Sequence, residues 1–319
     1  MLRTKATLPP HDEMESALQQ YLGFCRCRNL SPDTLVYYRL RLRRFFAFCR
    51  ERAGISRCDE VTRATVREFI CAEMQNGYAI KTINHNLIAL KTFYSFLLGE
   101  GMAGASPAAD VKLLKGERKI IQTFSQEQVD RLLAECNHKT FIGLRDYTVM
   151  LTLLDTGLRV SELCGLRLED IDWAGGFLKV MGKGSKERMV PFGNLLTSTL
   201  RDYIRRRGEI DGETHVFLSQ FAGPLDRAVV RQIIHKLGIR AGLSGVRVSP
   251  HTFRHTFARN WIMNGGDPFS LQRILGHTTQ YMVSQYVNLA LGDLRVQHTK
   301  FSPVDNMRAK ARGRKVVLR

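Results

Sequence analysis

The chain has 319 residues, of which 44 % are hydrophobic and 24 % charged, and its formal net charge is +18. This length suits two domains with buried cores, and the excess of cations predicts a polyanionic partner, with nucleic acid the first candidate and an anionic membrane the second. No run of eighteen apolar residues occurs, and the first eleven residues lack an apolar segment, which argues against a membrane-spanning helix and a secretory signal. Together with seven scattered cysteines that read as reduced thiols, this favours a cytoplasmic protein.

Residues 12–100 are predicted to form a domain of four helices. The second helix starts at Ser31-Pro32, a cap followed by a proline in the first turn. One face of this helix is apolar, and the other carries arginines at 39, 41, 43, 44, 50 and 52, which we expect to have almost no acidic neighbours to pair with. We interpret Arg39 and Arg43, together with Lys81 at the start of the fourth helix, as DNA contacts. A solvated charged face is the alternative interpretation.

Residues 101–123 are predicted to be an interdomain linker. The stretch from Gly101 to Asp110 is rich in small residues, which indicates flexibility, and four cations follow it, at 112, 115, 118 and 119.

Residues 124–303 are predicted to form a second domain, mainly helical with one small antiparallel sheet. Ser125 and Gln128 make a capping box at its first helix, which ends near residue 134. A strand at 177–181, a turn at 182–186 and a return strand from Arg188 form a hairpin. Further helices are predicted at 144–154, 193–207, 226–241, 251–263, 268–275 and 279–288. A basic tail at 304–319 is expected to stay disordered until it meets DNA or a partner.

Six side chains in the second domain point to phosphodiester chemistry. In chain order they are Arg159, Lys183, His251, Arg254, His277 and Tyr286, which together supply positive charge, proton carriers and one nucleophile. Arginine suits the charge that gathers on phosphate oxygens, and His251 and Arg254 share a helix face because they lie three residues apart. Phenolate is a fair leaving group, so attack by tyrosine on phosphorus is reversible. Each residue alone would more often be structural, and the case rests on the combination.

The hairpin suggests specific roles for Lys183 and its neighbours, and other residues are rivals for the roles of nucleophile and metal ligand. Lys183, at the hairpin tip, is interpreted as the proton donor to a departing oxygen, and Lys186 and Arg188 as phosphate contacts. Tyr281 is an internal rival to Tyr286. Three carboxylates before the first strand resemble a metal site but read as a turn, so we expect neither a metal nor a cofactor; they are Glu169, Asp170 and Asp172.

The motifs around the six residues resemble those of the tyrosine recombinases, also called the phage integrase family. Thr-Gly-Leu-Arg-Val-Ser-Glu-Leu contains Arg159, Gly-Lys-Gly-Ser-Lys-Glu-Arg contains Lys183, and Leu-Gly-His ends in His277, nine residues before Tyr286. The order matches the family signature Arg–Lys–His–x–x–Arg–His–Tyr, and the strings are most similar to Xer-type or short mobile-element members. The likeness covers nearly the whole chain, with 12–100 similar to the family's SAM-like core-binding domain and 124–303 to its catalytic domain.

The resemblance implies more than composition does. Family members grip double-stranded DNA as a C-shaped clamp and exchange strands as homo-tetramers on two duplexes, usually without metal. It implies a recombinase acting through a 3′-phosphotyrosyl intermediate, in integration or excision of a mobile element or in dimer resolution, within the bacterial cytoplasm near the nucleoid. Residues 291–303 would dock onto a neighbouring subunit. A type IB topoisomerase and a non-catalytic DNA-binding regulator are the alternatives.

Overall fold

The computed structural model describes residues 13–116, 121–182 and 187–276, together with Tyr286, His298 and residues 302–304. The chain divides into two compact units, Met1–Lys119 and Ile120–Arg319, and each has its own hydrophobic core. The predicted fold class, mainly helical with one small antiparallel sheet, is confirmed. None of the described helices combines the length and the hydropathy that a bilayer crossing requires.

The first unit contains the four predicted helices, α1 (Glu13–Cys27), α2 (Pro32–Phe48), α3 (Arg63–Gln75) and α4 (Ile80–Gly99). The Ser31 side chain accepts a hydrogen bond from the backbone of Thr34 and so caps α2, as its sequence predicts. Buried aromatic and aliphatic residues from α1, α2 and α4 fill the core between these helices. The core packing leaves Arg39 and Arg43 of α2 exposed.

The stretch at 101–110, predicted to be a flexible linker, packs in part onto the first unit. Ala108 and Val111 are buried in its core, and the ammonium group of Lys91 donates to the carbonyl of Ala109 over 2.9 Å. Beyond it, the side-chain amide of Asn84 both donates to and accepts from the backbone of Leu114, at 2.9 and 2.8 Å. Small residues here permit close packing, which composition does not distinguish from flexibility.

The second unit is built on helices and a three-stranded sheet. Its helices are α5 (Gln126–Ala134), α6 (Phe141–Thr156), α7 (Val160–Cys164), α8 (Asn194–Arg207), α9 (Arg227–Arg240), α10 (Pro250–Met263) and α11 (Pro268–Leu275). The strands β1 (Ile171–Asp172), β2 (Phe177–Met181) and β3 (Glu187–Pro191) pair antiparallel in the order β1-β2-β3, with Val180 opposite Arg188. The predicted hairpin is thus present, whereas β1 and α7 are too short to show a periodic pattern.

Helix α6 is the centre of the second unit. It packs against α8 on one side and α10 on another, while α11 lies against both α10 and β3. The end of α6, the start of α10 and the end of α11 consequently converge, and the residues of the candidate site lie at this junction.

Candidate active site

Arg159 is positioned by the left-handed turn that ends α6. Gly157 caps that helix with φ of +62° and ψ of +22°, and Arg159 follows as the residue that begins α7. A side chain at 157 would meet two neighbours, because an added Cβ would lie 2.5 Å from Cδ1 of Phe257 on α10 and 2.8 Å from Cδ2 of Leu275 on α11. Both its dihedrals and its surroundings therefore require glycine.

We expect Gly157→Ala to destabilise the second unit by about 2–5 kcal/mol, from left-handed strain and overpacking together. Urea unfolding would measure the change. Gly245→Ala is the matched control, since Gly245 has φ of +74° but open space around its α-carbon, and it should lose only the strain contribution. Equal losses in the two variants would show that the contacts with Phe257 and Leu275 contribute nothing.

Arg254 is buried one turn into α10, which Ser249 caps and Pro250 begins. Its Nη1 donates to the carbonyl of Gly157 and its Nη2 to the carbonyl of Leu275, each over 2.6 Å. Burial, and secondarily the nearby charge of Arg159, lower the pKa of Arg254 to about 10, so it remains cationic at neutral pH. His251 lies one turn before it on the same helix, as the spacing predicts.

Glu162 lies between two guanidinium groups and joins them. Its Oε1 accepts from Nη1 of Arg159 and Nη1 of Arg188, both at 2.8 Å, and its Oε2 accepts from the backbone of Arg159. Although burial alone would raise the pKa of Glu162, hydrogen bonds from Arg188 and Arg159 hold it below its usual value. This carboxylate therefore fixes Arg159, whose side chain keeps 32 % of its surface exposed.

Arg188, which the sequence predicts to contact phosphate, is largely enclosed by protein groups in the structure. Its side chain is 12 % exposed and forms a two-pronged pair with Glu162, and its Nε donates to the carbonyl of Ile274 over 2.8 Å. Side chains alternate between the two faces of β3, so Arg188 lies on the same inward face as buried Val190. This alternation is the feature of the sequence that could have indicated the burial of Arg188.

Tyr286 is buried against His255, a residue that the motif analysis did not assign. Its side chain is 1 % exposed, and its hydroxyl lies 2.5 Å from Nδ1 of His255. Burial raises the pKa of Tyr286 to about 12, partly opposed by the charge of Arg254. The phenol is therefore protonated near neutral pH and sits within the electrostatic reach of Arg254.

We expect the protein to lose stability on acidification. Burial is the main cause that lowers the pKa of both His251 and His255. Neighbouring groups lower it further, chiefly Arg254 for His251, and His251 and Arg254 for His255. In the unfolded chain, both histidines become protonated near the ordinary histidine pKa of about 6.5, whereas in the folded protein they do so only at lower pH. The stability that the neutral histidines contribute is therefore present above about pH 6.5 and is lost as the pH falls through their pKa values in the folded protein.

The urea midpoint of unfolding is measured at about pH 7.5 and about pH 5.5 for the wild type and for His255→Gln. Glutamine is chosen because its side chain can still accept a hydrogen bond from Tyr286 but does not titrate. The variant should lose less stability on acidification than the wild type. An equal loss would place the pH dependence elsewhere.

Several predicted positions lie outside the described residues. They are Lys183, Lys186, His277, Tyr281, the cations at 118 and 119, the helix predicted at 279–288 apart from Tyr286, and all but a few positions of 291–303 and the tail at 304–319. Lys183 and Lys186 fall in the segment that joins β2 to β3, and His277 directly follows Gly276, whose carbonyl is 3.5 Å from Nη2 of Arg159.

The predicted DNA contacts of the first unit have partners that the sequence does not reveal. Arg39 and Lys81 are exposed, but Arg43 forms a two-pronged pair with Glu15, and the neighbouring Arg44 pairs with buried Glu73. The argument that these arginines lack acidic neighbours is therefore wrong. The Arg43–Glu15 pair is itself exposed and worth at most about 1 kcal/mol, so a phosphate can compete for it.

A basic groove that the sequence motifs do not indicate lies beside His251. It has a volume of about 740 Å³, and its lining includes Arg231 and His235 of α9 and Arg247 of the following loop. Arg227, Arg231 and His235 repeat every four residues on the exposed face of α9, which is the signal that the sequence offers. The described residues hold no cluster of three or more potential metal ligands.

Comparison with known protein families decides the relationship. The model of the phage integrase family matches residues 122–291, and that of the phage integrase N-terminal SAM-like domain matches residues 18–101. The chain belongs to the phage integrase family. The prediction that it is a tyrosine-type recombinase is thereby confirmed.

The relatives of this chain include Xer recombinases. The tyrosine recombinase XerC of Halalkalibacterium halodurans is 34 % identical over 293 residues, covering 89 % of this chain and 95 % of the relative. The tyrosine recombinase XerD of Staphylococcus saprophyticus is 31 % identical over 295 residues, covering 91 % and 99 %.

Two solved structures share the fold. The XerH site-specific recombinase bound to palindromic difH substrate matches with a TM-score of 0.71 at 19 % identity, covering 89 % of this chain and 83 % of that one. The Tn1549 transposon integrase in complex with transposon right end DNA matches with a TM-score of 0.71 at 23 % identity, covering 85 % and 94 %.

Proposed function

We propose that this chain is a site-specific DNA recombinase that cuts and rejoins DNA through a 3′-phosphotyrosyl bond to Tyr286. The observation that carries the proposal is the convergence of two guanidinium groups and a phenol at the junction of α6, α10 and α11. Arg159 and Arg254 are fixed by Glu162 and by two main-chain carbonyls, and the charge of Arg254 acts on Tyr286.

In the proposed reaction, Arg159 and Arg254 neutralise the non-bridging oxygens of the scissile phosphate as charge accumulates there. The phenolic oxygen of Tyr286 forms a bond to phosphorus as its proton passes to a histidine of the site, His251 or His277, while the bond from phosphorus to the 5′ oxygen breaks. Lys183 supplies the proton that the departing 5′ oxygen requires. The reverse attack by a 5′ hydroxyl restores the phosphodiester and releases the phenol, so no high-energy cofactor is consumed.

Double-stranded DNA is the proposed partner, held by both units. The net charge of +18 supports a polyanion, and the groove of Arg231, His235 and Arg247 beside His251 offers a path for the backbone of the duplex. On the first unit, Arg39, Arg43 and Lys81 are the proposed contacts. His277 and His251 are proposed to assist proton transfer or phosphate binding at the same centre.

We propose that strand exchange takes place in a homo-tetramer on two duplexes, in the bacterial cytoplasm where such DNA lies. The relatives include Xer recombinases, and one structural neighbour is a transposon integrase, which supports dimer resolution or movement of a mobile element as the purpose. Sequencing the DNA that is trapped covalently in cells would distinguish these roles by the position and symmetry of the site.

The decisive experiment uses that site as a nicked half-site with EDTA present. The protein should become attached to the 3′ phosphate in an SDS-stable adduct, because the chemistry needs no divalent ion. Cleavage that depends on divalent ions and leaves no adduct would contradict the proposal. Relaxation of a supercoiled plasmid that lacks the site would support a topoisomerase instead.

A further inference from the structure

Each nitrogen of the Arg188 guanidinium is already engaged within the protein. Nη1 and Nη2 donate to the two oxygens of Glu162 at 2.8 and 2.9 Å, and Nε donates to the carbonyl of Ile274 at 2.8 Å. The guanidinium of Arg188 thus has protein partners at all three nitrogens, and its side chain is only 12 % exposed. This placement suits a group that orients other protein groups, not one that binds the backbone of a duplex.

The geometry around Glu162 shows which arginine has the stronger hold on the carboxylate. Arg188 occupies it with two side-chain prongs, whereas the side chain of Arg159 contacts it through Nη1 alone. Glu162 is 3 % exposed on its side chain, so it pairs with whatever cation is in reach. Without Arg188, both oxygens of the Glu162 carboxylate could accept hydrogen bonds from the guanidinium of Arg159. Such a two-pronged pair would draw Arg159 away from solvent.

The end of α11 provides the second anchor. Arg188, Arg254 and Arg159 approach three consecutive carbonyls there, those of Ile274, Leu275 and Gly276, at 2.8, 2.6 and 3.5 Å. These carbonyls have no acceptor role inside the helix and carry the negative end of its dipole, which offsets repulsion among the three cations.

Arg188 also approaches Gly276 closely. A Cβ on Gly276, whose φ is +62°, would lie 3.2 Å from both Cδ and Nε of Arg188. Arg188 thus links β3, α7 and the end of α11 at one point, and the glycine at 276 accommodates its stem.

We propose that Arg188 is a positioning residue, which satisfies Glu162 so that the guanidinium of Arg159 remains available to the scissile phosphate. The proposal rests on the function proposed above. It assigns no contact between Arg188 and DNA, and this separates it from the phosphate-binding role that the sequence alone suggests.

The test compares Arg188→Gln with Arg205→Gln, a loss of equal charge at an exposed residue of α8. Two quantities are measured, the single-turnover rate of adduct formation at saturating DNA and the DNA affinity as a function of salt. For Arg188→Gln we expect the rate to fall roughly 10- to 100-fold, as for a misplaced reacting group, with an unchanged affinity and salt slope. Arg205→Gln should change neither.

A double variant tests the electrostatic explanation. Arg188→Gln combined with Glu162→Gln should react faster than Arg188→Gln alone, because the carboxylate that captures Arg159 is gone. A slower double variant would overturn the proposal, and so would a salt slope reduced by about 0.9 in Arg188→Gln, the signature of one lost phosphate contact. An unchanged rate in Arg188→Gln would overturn it as well.

Arg188→Lys covers the case in which the glutamine variant does not fold. Lysine keeps the charge but contacts the carboxylate of Glu162 through a single ammonium, so the rate at saturating DNA should lie between those of the wild type and a charge-free variant. A wild-type rate would show that the two-pronged hydrogen bonding of the guanidinium is not required. Failure of the wild type to form any adduct would refute the proposed function, whereas the salt slope still reports on whether Arg188 touches DNA.

Discussion

Tyr286→Phe is expected to form no SDS-stable adduct with a nicked half-site, while its affinity for the same DNA remains that of the wild type. Phenylalanine fills the same buried space and removes only the hydroxyl that is proposed to attack phosphorus. The lost hydrogen bond to His255 costs about 1 kcal/mol of stability, too little to unfold the unit. Denaturing gel electrophoresis of radiolabelled DNA, alongside binding measurements, gives the two readouts.

Tyr281→Phe is the control for this experiment, because Tyr281 is the other tyrosine shortly after His277. It should form the adduct at a rate close to that of the wild type. The opposite pattern, with Tyr281→Phe inactive and Tyr286→Phe active, would transfer the nucleophile to Tyr281. An adduct in both variants would remove tyrosine from the mechanism at these two positions.

The burial of Tyr286 adds a requirement to any cleavage event. At 1 % exposure, its hydroxyl must leave His255, or the duplex must reach it, before it can attack a phosphate. Because burial also raises its pKa to about 12, the phenol loses its proton only as the reaction proceeds. In the described arrangement, the proposed nucleophile is enclosed beside His255 and near Arg254.

Local signals predict the elements of this fold well. Ser31, Thr62 and Ser125 each accept from a backbone amide at a helix start, and the hairpin of β2 and β3 lies where alternation places it. These features depend on neighbours within a few residues, so their physical causes are contained in short stretches of sequence.

Side-chain partners across the chain are harder to predict, and they determine how the site is built. Spacing indicates that Glu162 can orient Arg159, one turn away, but nothing in it shows that Arg188 arrives from β3 to share the same carboxylate. The same limit explains Arg43 and its pair with Glu15, 28 residues away. It also explains His255, which follows Arg254 directly in the sequence but whose contact with Tyr286 depends on the tertiary fold.

Arg254→Lys is expected to lower the single-turnover rate of adduct formation on the order of 10³-fold, the loss typical of an arginine removed from phosphoryl transfer. A lysine places one ammonium where Arg254 spans two carbonyls, those of Gly157 and Leu275, and it donates no parallel pair of hydrogen bonds to a phosphate. The same burial that lowers the pKa of Arg254 to about 10 would bring a lysine, whose ordinary pKa is about 10.4, much closer to neutrality.

The control for Arg254→Lys is Arg205→Lys, which makes the same exchange at an exposed position and should keep the wild-type rate. Urea midpoints of both variants separate loss of fold from loss of chemistry, since one carbonyl partner of Arg254 is left unsatisfied and costs about 1–3 kcal/mol. Raising the pH from about 7 to about 9 should slow Arg254→Lys further relative to the wild type, because only the buried lysine loses its charge in that range. A folded Arg254→Lys that forms the adduct within tenfold of the wild-type rate would mean that the phosphate is neutralised by other groups, and that the convergence of Arg159 and Arg254 serves the fold alone.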